Sequence, residues 1–396
     1  MSKLEGNIIK YNYYKIFTKR VYLPLVVIFL IEQGGVTLEQ IALIGSITAV
    51  AQFLMEIPSG YIADRFGHKN SLAFGAFISA ISVLPYLFFT NFWGGLVANV
   101  GFFVGMAFAS GTVQAFMHET LLALGRDGEY SEIMGKGQSF GLFGNIVLVS
   151  LIPLTYTIHP KLPFFLGFIC LLISFLIILS FQSPPARVAV VEVGYKRGVG
   201  EKIKHLMATV PVFRLFLVFL LFAVVSSSFD FAAMYREVVF KNAGIPAQFF
   251  GFLLAFGSLL AAIVGWYIHH LKKLKPTTFY LFDATYLVGA CLLVGSTHNP
   301  ILLVLAFALF PAYDRTRNII FEAQVFEEFP YSHNKATLIS VMNFMTLVCS
   351  VWTPMLLGIM ATRAGLPAGY WYFGLAIAGI LAPILIIHRL VARHHI

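Results

Sequence analysis

Gly60-Tyr61-Ile62-Ala63-Asp64-Arg65-Phe66-Gly67-His68-Lys69-Asn70-Ser71-Leu72 is a short charged turn set between two long apolar runs. Gly60 removes a side chain where a neighbouring helix could approach closely, and Gly67 permits a tight turn. Asp64 can accept bonds from a helix N-terminus or pair with a cation. A charge relay of this kind can latch one of two conformations and must break in the other.

The runs on either side of the turn set its context. Hydrophobic residues make up 59% of the 396-residue chain and charged residues only 11%, with a mean hydropathy of +0.83. Soluble domains carry about 25% charged residues, so a soluble chain this apolar could not cover its surface and lipid must be the main solvent. Breakers and hydropathy divide the chain into twelve expected spans of about 20 residues, the length that crosses roughly 30 Å of hydrocarbon. The expected architecture is all-α, with twelve transmembrane helices in two parallel six-helix pseudo-repeats. A bundle over residues 1–182 and another over 209–396 flank a basic stretch, 183–208, read as a cytoplasmic linker. The repeats are visible as an offset slightly over 200 residues. Gly60–Arg65 has a counterpart in Gly265-Trp266-Tyr267-Ile268-His269-His270, and Glu119 follows Thr112 by the seven residues that separate Glu322 from Arg315.

Basic residues orient the chain. With both termini in the cytoplasm, Lys3, Lys10, Arg65, Lys69, Arg126, the linker cluster, Lys272, Lys273, Lys275, Lys335, Arg389 and Arg393 fall inside, and only Lys161, Arg236, Lys241 and Arg363 outside. The formal charge of +9 is therefore a topology signal. No polar segment is large enough for a nucleic-acid module. Cys170, Cys291 and Cys349 are far apart in apolar runs, without metal or disulfide spacing. No phosphate-binding glycine loop occurs, which argues against ATP-driven pumping. The paired histidines His269-His270 and His394-His395 lack ligand spacing. No cofactor and no metal site is expected.

The turn quoted above closely resembles the cytoplasmic signature of the major facilitator superfamily, G-x-L-A-D-R-x-G-R-K-x-x-L. It matches at Gly60, Ala63, Asp64, Arg65, Gly67, Lys69 and Leu72 and departs at Ile62 and His68. Glu56-Ile57-Pro58-Ser59-Gly60 resembles the approach to that signature in many bacterial permeases. Ser110-Gly111-Thr112, and Lys335-Ala336-Thr337 with Ser340, resemble the superfamily's patterns in spans four and eleven. The resemblance implies secondary transport by alternating access in a bacterial inner membrane, with a small-molecule substrate and a proton or other coupling ion, by a monomer. Glu56, Gly60, Asp64, Arg65, Gly67 and Lys69 would form the conformational latch. Span four has no Arg and span five has Gly137, Gly141 and Gly144 but no Gly-Pro, which departs from the multidrug antiporters of the superfamily.

Ionisable groups at membrane depth cost about 2.5–3.5 kcal/mol each on insertion scales and mark candidate sites. Lys19 and Arg20 lie deep in span one, whereas Lys15 is near enough to the aqueous side to snorkel. At 100° per residue, Asp314, Arg315, Arg317, Asn318 and Glu322 share one arc of about 160°, so this helix lines a polar path or a charged seam. A self-neutralised pairing of Asp314 with Arg317 and Arg315 with Glu322 is the packing alternative. In span four Gln114 and His118 share a face, and His118 and Glu119, about 100° apart, are not expected in one cavity. Asp230 follows a polar interruption at Ser226–Ser228. Asp283 is expected nearer the inner face, with a lesser role. The guanidinium groups suit an anionic or zwitterionic organic solute, and Asp230, Asp314, Glu119 or His118 could couple it to protons. The rival functions are proton-linked efflux of amphipathic drugs, a transporter-like receptor, and a membrane-embedded lipid enzyme.

Overall fold

The computed structural model describes residues 4–185, 212–267, 274–328 and 335–393. Most of the 183–208 linker, His269-His270, Lys272 and Lys273 lie outside the described residues, as do the side chains of Arg315, Lys335–Thr337, Ser340 and Arg393. Among the described residues the chain is helical, without a strand. Among these residues nine helical segments are long and apolar enough to cross a bilayer, and three more, Leu23–Gly34, Ala247–Ala261 and Pro300–Asp314, are apolar but shorter. The chain divides into two compact units, Met1–Val188 with Ile245–Ala255, and Ala189–Gly244 with Phe256–Ile396.

In the first unit, span one is split. Helix α1 (Gly6–Phe17) and α2 (Val26–Gly34) are separated by a non-α stretch that ends in a 3₁₀ turn at Leu23–Leu25. Pro24 accounts for the split, because it has no N–H and its ring crowds the carbonyl four residues back, that of Arg20. Leu23 instead closes a shorter bond to the Arg20 carbonyl. Helix α3 (Leu38–Phe66) starts at a reciprocal capping box between Thr37 and Gln40. Gly67 alone, at φ 87°, turns it into α4 (His68–Ile81). A short α5 (Leu84–Phe88) leads to α6 (Phe92–Ala109). Span four breaks at Ser110–Gly111, with Gly111 at φ 73°, before α7 (Thr112–Leu124). Helices α8 (Tyr130–Leu151) and α9 (Leu162–Leu179) complete the unit.

Small residues set the helix approaches. A Cβ on Gly137, Gly141 or Gly144 of α8 would run into Tyr11, Lys15 and Ile16 of α1, so these glycines form the groove in which α1 lies. Gly75 of α4 faces Gly105 of α6 in the same way. Gly60, expected to admit a neighbouring helix, has nothing within 4 Å of the place a Cβ would take.

The second unit contains α10 (Val212–Ala232), a short α11 (Arg236–Asn242), α12 (Phe250–Tyr267, whose first turns belong to the first unit), α13 (Pro276–Ser296), α14 (Pro300–Glu328), α15 (Lys335–Ala364) and α16 (Leu366–Arg393). Helix α10 packs on α15, and α13 on α16. Aromatic pairs such as Phe222–Phe321 and Tyr280–Phe321 fill the interior. Large apolar side chains including Phe88, Trp93, Phe143 and Ile301 are at least two-thirds exposed. That would be an aggregation liability in water and is the ordinary outer face of a bundle in lipid.

Candidate functional site

The two helix breaks of the first unit meet at a cavity of about 260 Å³. Lys15, Thr18 and Lys19 come to it from the end of α1, Gln52 and Glu56 from α3, Ser110 from the break in span four, and Gln114 from α7. Breaking a helix frees backbone groups that the α pattern would have consumed. In span four this leaves the first-turn N–H groups of α7, with their positive dipole end, beside Val113 and Gln114 on the cavity wall. Discontinuous spans of this kind build solute sites near the midplane of carriers. The charged side chains of the lining are Lys15, Lys19 and Glu56, two cations against one anion. The Glu56 carboxylate has no hydrogen-bond or ion-pair partner among the described residues. Lys15 lies over the Tyr11 ring, 5.6 Å from its centroid. A space of this size, walled by two ammonium groups, a carboxylate, two amides and hydroxyls, can bind a small solute carrying a negative charge, with a positive one accommodated beside it.

Arg20 is not part of this wall. Its Nη1 donates to Asn99 Oδ1 at 2.8 Å, and its guanidinium lies 4.5 Å and 4.8 Å from the Phe102 and Phe103 ring centroids. Asn99 in turn donates to the Tyr86 hydroxyl at 3.1 Å. Arg20 thus clamps the break in span one to α6. Gln52 and Asn99 were not singled out from the sequence, and Lys15 was read as a snorkelling residue. Gln52 sits one turn before Glu56 on the same helical face, a signal that i, i+4 spacing carried. Nothing local to Asn99 announced its partner 79 residues away.

The second unit holds a different constellation. Arg317 and Asp283 are both completely buried. Arg317 Nε donates to Asp283 Oδ1 at 2.7 Å and Nη2 to Asp283 Oδ2 at 2.6 Å, a two-pronged fork. Nη1 donates to Ser226 Oγ at 2.7 Å and, more weakly, to Asn318 Oδ1 at 3.3 Å. Asp314 stands 3.5 Å away as a second, partly exposed carboxylate. The Phe222 and Phe229 rings cover the guanidinium. The sequence suggested Arg317 as an anion-attracting group and Asp283 as a minor residue. The geometry reverses the emphasis, since a sealed guanidinium already matched to a carboxylate holds α10, α13 and α14 together. Asp230 is exposed at the end of α10 and Glu322 is half-buried further along α14. The Arg315 side chain lies outside the described residues.

The signature turn contributes a third group. Asp64, Arg65 and Gly67 are exposed and Lys69 is half-buried at the end of the first unit. Arg65 reaches the Tyr61 hydroxyl at 3.4 Å. Glu119 points to this turn, where Oε1 lies 3.2 Å from His68 Nε2, and His118 turns edge-on to the Tyr130 ring. Neither His118 nor Glu119 lines the first-unit cavity. No cluster of three or more His, Cys, Asp or Glu able to hold a metal ion occurs among the described residues.

Two broken spans around a polar cavity, a helical bundle with a lipid-facing exterior and a charged inter-helix turn define a membrane carrier. The Major Facilitator Superfamily model matches residues 16–314, and the chain belongs to that family of transporters. It is 22% identical over 377 residues to the uncharacterized MFS-type transporter YxaM of Bacillus subtilis (strain 168), covering 92% of this chain and 90% of that protein. Its fold is similar to the crystal structure of the nucleoside transporter NupG, with a TM-score of 0.74 at 13% identity over 98% of this chain and 99% of the other. It is also similar to a D-xylose–proton symporter, with a TM-score of 0.64 at 14% identity over 97% of each chain.

Proposed function

We propose that the protein is a secondary transporter carrying a small anionic or zwitterionic organic solute across the bacterial plasma membrane by alternating access, coupled to protons, with both termini cytoplasmic. The observation that carries this reading is the first-unit cavity beside the break in span one, which Lys15, Lys19 and Glu56 line together. A carboxylate or phosphate of the solute sits against the two ammonium groups and the first turn of α7. A solute ammonium, where there is one, sits against Glu56. Gln52 and Gln114 supply both donors and acceptors for the uncharged part. The charged lining disfavours amphipathic drugs as cargo, because an apolar body would leave these groups desolvated and unpaired.

Coupling needs a carboxylate whose charge changes when the solute binds or leaves. Glu56 in the cavity, and Asp230 and Asp314 near Arg317, are the groups placed to do this. Sodium or another ion in place of the proton is an outcome of the same test. Purified protein in proteoliposomes is loaded with unlabelled carboxylates, amino acids and phosphate esters, and counterflow of the labelled compound is measured with and without a pH gradient. Exchange of an acidic or zwitterionic solute that collapses in a Lys15→Gln, Lys19→Gln double variant supports the reading. Binding without exchange makes the protein a receptor, and exchange indifferent to both lysines removes the anion site.

A further inference from the structure

The superfamily signature has Arg where this chain has His68, and the structure joins that residue to Glu119 of α7. We propose that the His68–Glu119 contact is a proton-operated catch between the α3–α4 turn and α7, closed when the imidazole is charged and loosened when it is neutral.

The argument rests on geometry. His68 is the first residue of α4, next to Gly67, and its Nε2 faces Glu119 Oε1 at 3.2 Å. The other ring nitrogen, Nδ1, is buried with no hydrogen-bond partner among the described residues. The hydrogen-bond geometry therefore assigns the proton of the neutral ring to Nε2, pointing at the carboxylate. A second proton goes to Nδ1 and turns a hydrogen bond from a neutral imidazole to the carboxylate into an ion pair, which strengthens it. The ring sits at the open end of α4, with its side chain 20% exposed. An arginine at this position would be charged at every physiological pH, whereas histidine changes charge between pH 5 and 8.

The surroundings leave Glu119 as the partner that matters. At the turn end of α3 the charged groups are Asp64 and Arg65, with Glu56 two turns earlier and Glu39 at the far end of the helix, and Arg65 is turned toward the Tyr61 hydroxyl and the Phe66 ring. Lys69 is adjacent on α4 itself, and on α7 His118 faces Tyr130. Helix α6 carries no titratable side chain, and α9 only the buried Cys170 thiol. Because Glu119 is half exposed, the pair is weak alone. It biases the turn and does not lock it. The inference deepens the transport reading by giving the latch a pH response, but the contact itself can be tested without substrate.

The test is backbone hydrogen exchange of residues 64–70 in detergent-solubilised full-length protein at pH 6 and pH 8, corrected for intrinsic exchange. In the wild type the turn is expected to be about two- to fivefold better protected at pH 6, the ratio that corresponds to an exposed ion pair. His68→Gln and Glu119→Gln abolish the difference, and His68→Arg is protected at both pH values. An unchanged pH response in His68→Gln, or a persistent one in His68→Arg, overturns the proposal. A flat response in the wild type does so as well. Loss of counterflow in the Lys15, Lys19 double variant with this response intact would bear on the solute site alone.

Discussion

Asp283→Asn should be among the most damaging conservative substitutions in the second unit. The Asp283–Arg317 fork has two bonds, at 2.7 and 2.6 Å, between groups that are both completely buried. Asparagine keeps one acceptor, removes the negative charge and turns an amide donor toward a guanidinium donor. At an effective dielectric of about 20, opposite charges 4 Å apart attract by about 4 kcal/mol. Breaking a buried pair from one side costs about 3–5 kcal/mol. Asp314, 3.5 Å from Nη1, remains and offsets part of this, so about 3 kcal/mol is expected. For a unit of this size that is a fall on the order of 6–12 °C in Tm. Cys170, Cys291 and Cys349 are all buried free thiols, so a maleimide dye that fluoresces on reaction reports unfolding directly. Asp283→Asn combined with Arg317→Gln removes both charges and should be more stable than Asp283→Asn alone. A Tm within about 1 °C of wild type for the single variant, or additive losses in the double, would refute the claim that this ion pair is what joins the helices.

Two further outcomes follow from packing and charge outside the cavity. Gly141→Leu should separate α1 from α8, because even a Cβ there meets Lys15 Cβ and the Lys15 carbonyl at 2.9 Å. Overpacking of this order costs about 1–3 kcal/mol and also shifts the cavity-lining Lys15, so both Tm and counterflow should drop, whereas Gly60→Ala, with open space around it, should leave Tm unchanged. Glu237 in the short helix α11 is buried, which pushes its carboxyl above the usual range despite the neighbouring Arg236. A carboxyl raised on folding contributes stability that is present below its unfolded value and lost as pH rises through its folded value. Tm of the wild type should therefore fall with rising pH through and above the carboxylate range, and Glu237→Gln should fall less; parallel curves would contradict the burial argument.

Much of the plan could be seen in the chain before folding. Lipid as solvent forces long apolar runs, and those runs, with the Gly60–Leu72 turn, were sufficient to indicate an all-α carrier and its superfamily. The candidate charges were visible too, since a lysine or aspartate inside such a run stands out. Their roles were less so. Periodicity placed Arg317 on a polar face of α14 and offered Asp314, three residues earlier, as its partner. Asp283, 34 residues away on another helix, takes the fork, and the nearer carboxylate is left at 3.5 Å. Lys15 looked like a snorkelling residue, yet it and Lys19 both line the first-unit cavity.

By itself, then, the sequence determined the solvent, the all-helical class, the family and the location of the charged turn. Each of these depends on neighbours within a few turns of helix, or on a contiguous pattern. Which charges meet was decided only by tertiary structure. Arg20 with Asn99, Arg317 with Asp283 and His68 with Glu119 are paired by how the helices rotate and where Pro24 and Gly111 interrupt them. A helical repeat specifies the face a side chain occupies, and packing against other helices selects what stands opposite that face.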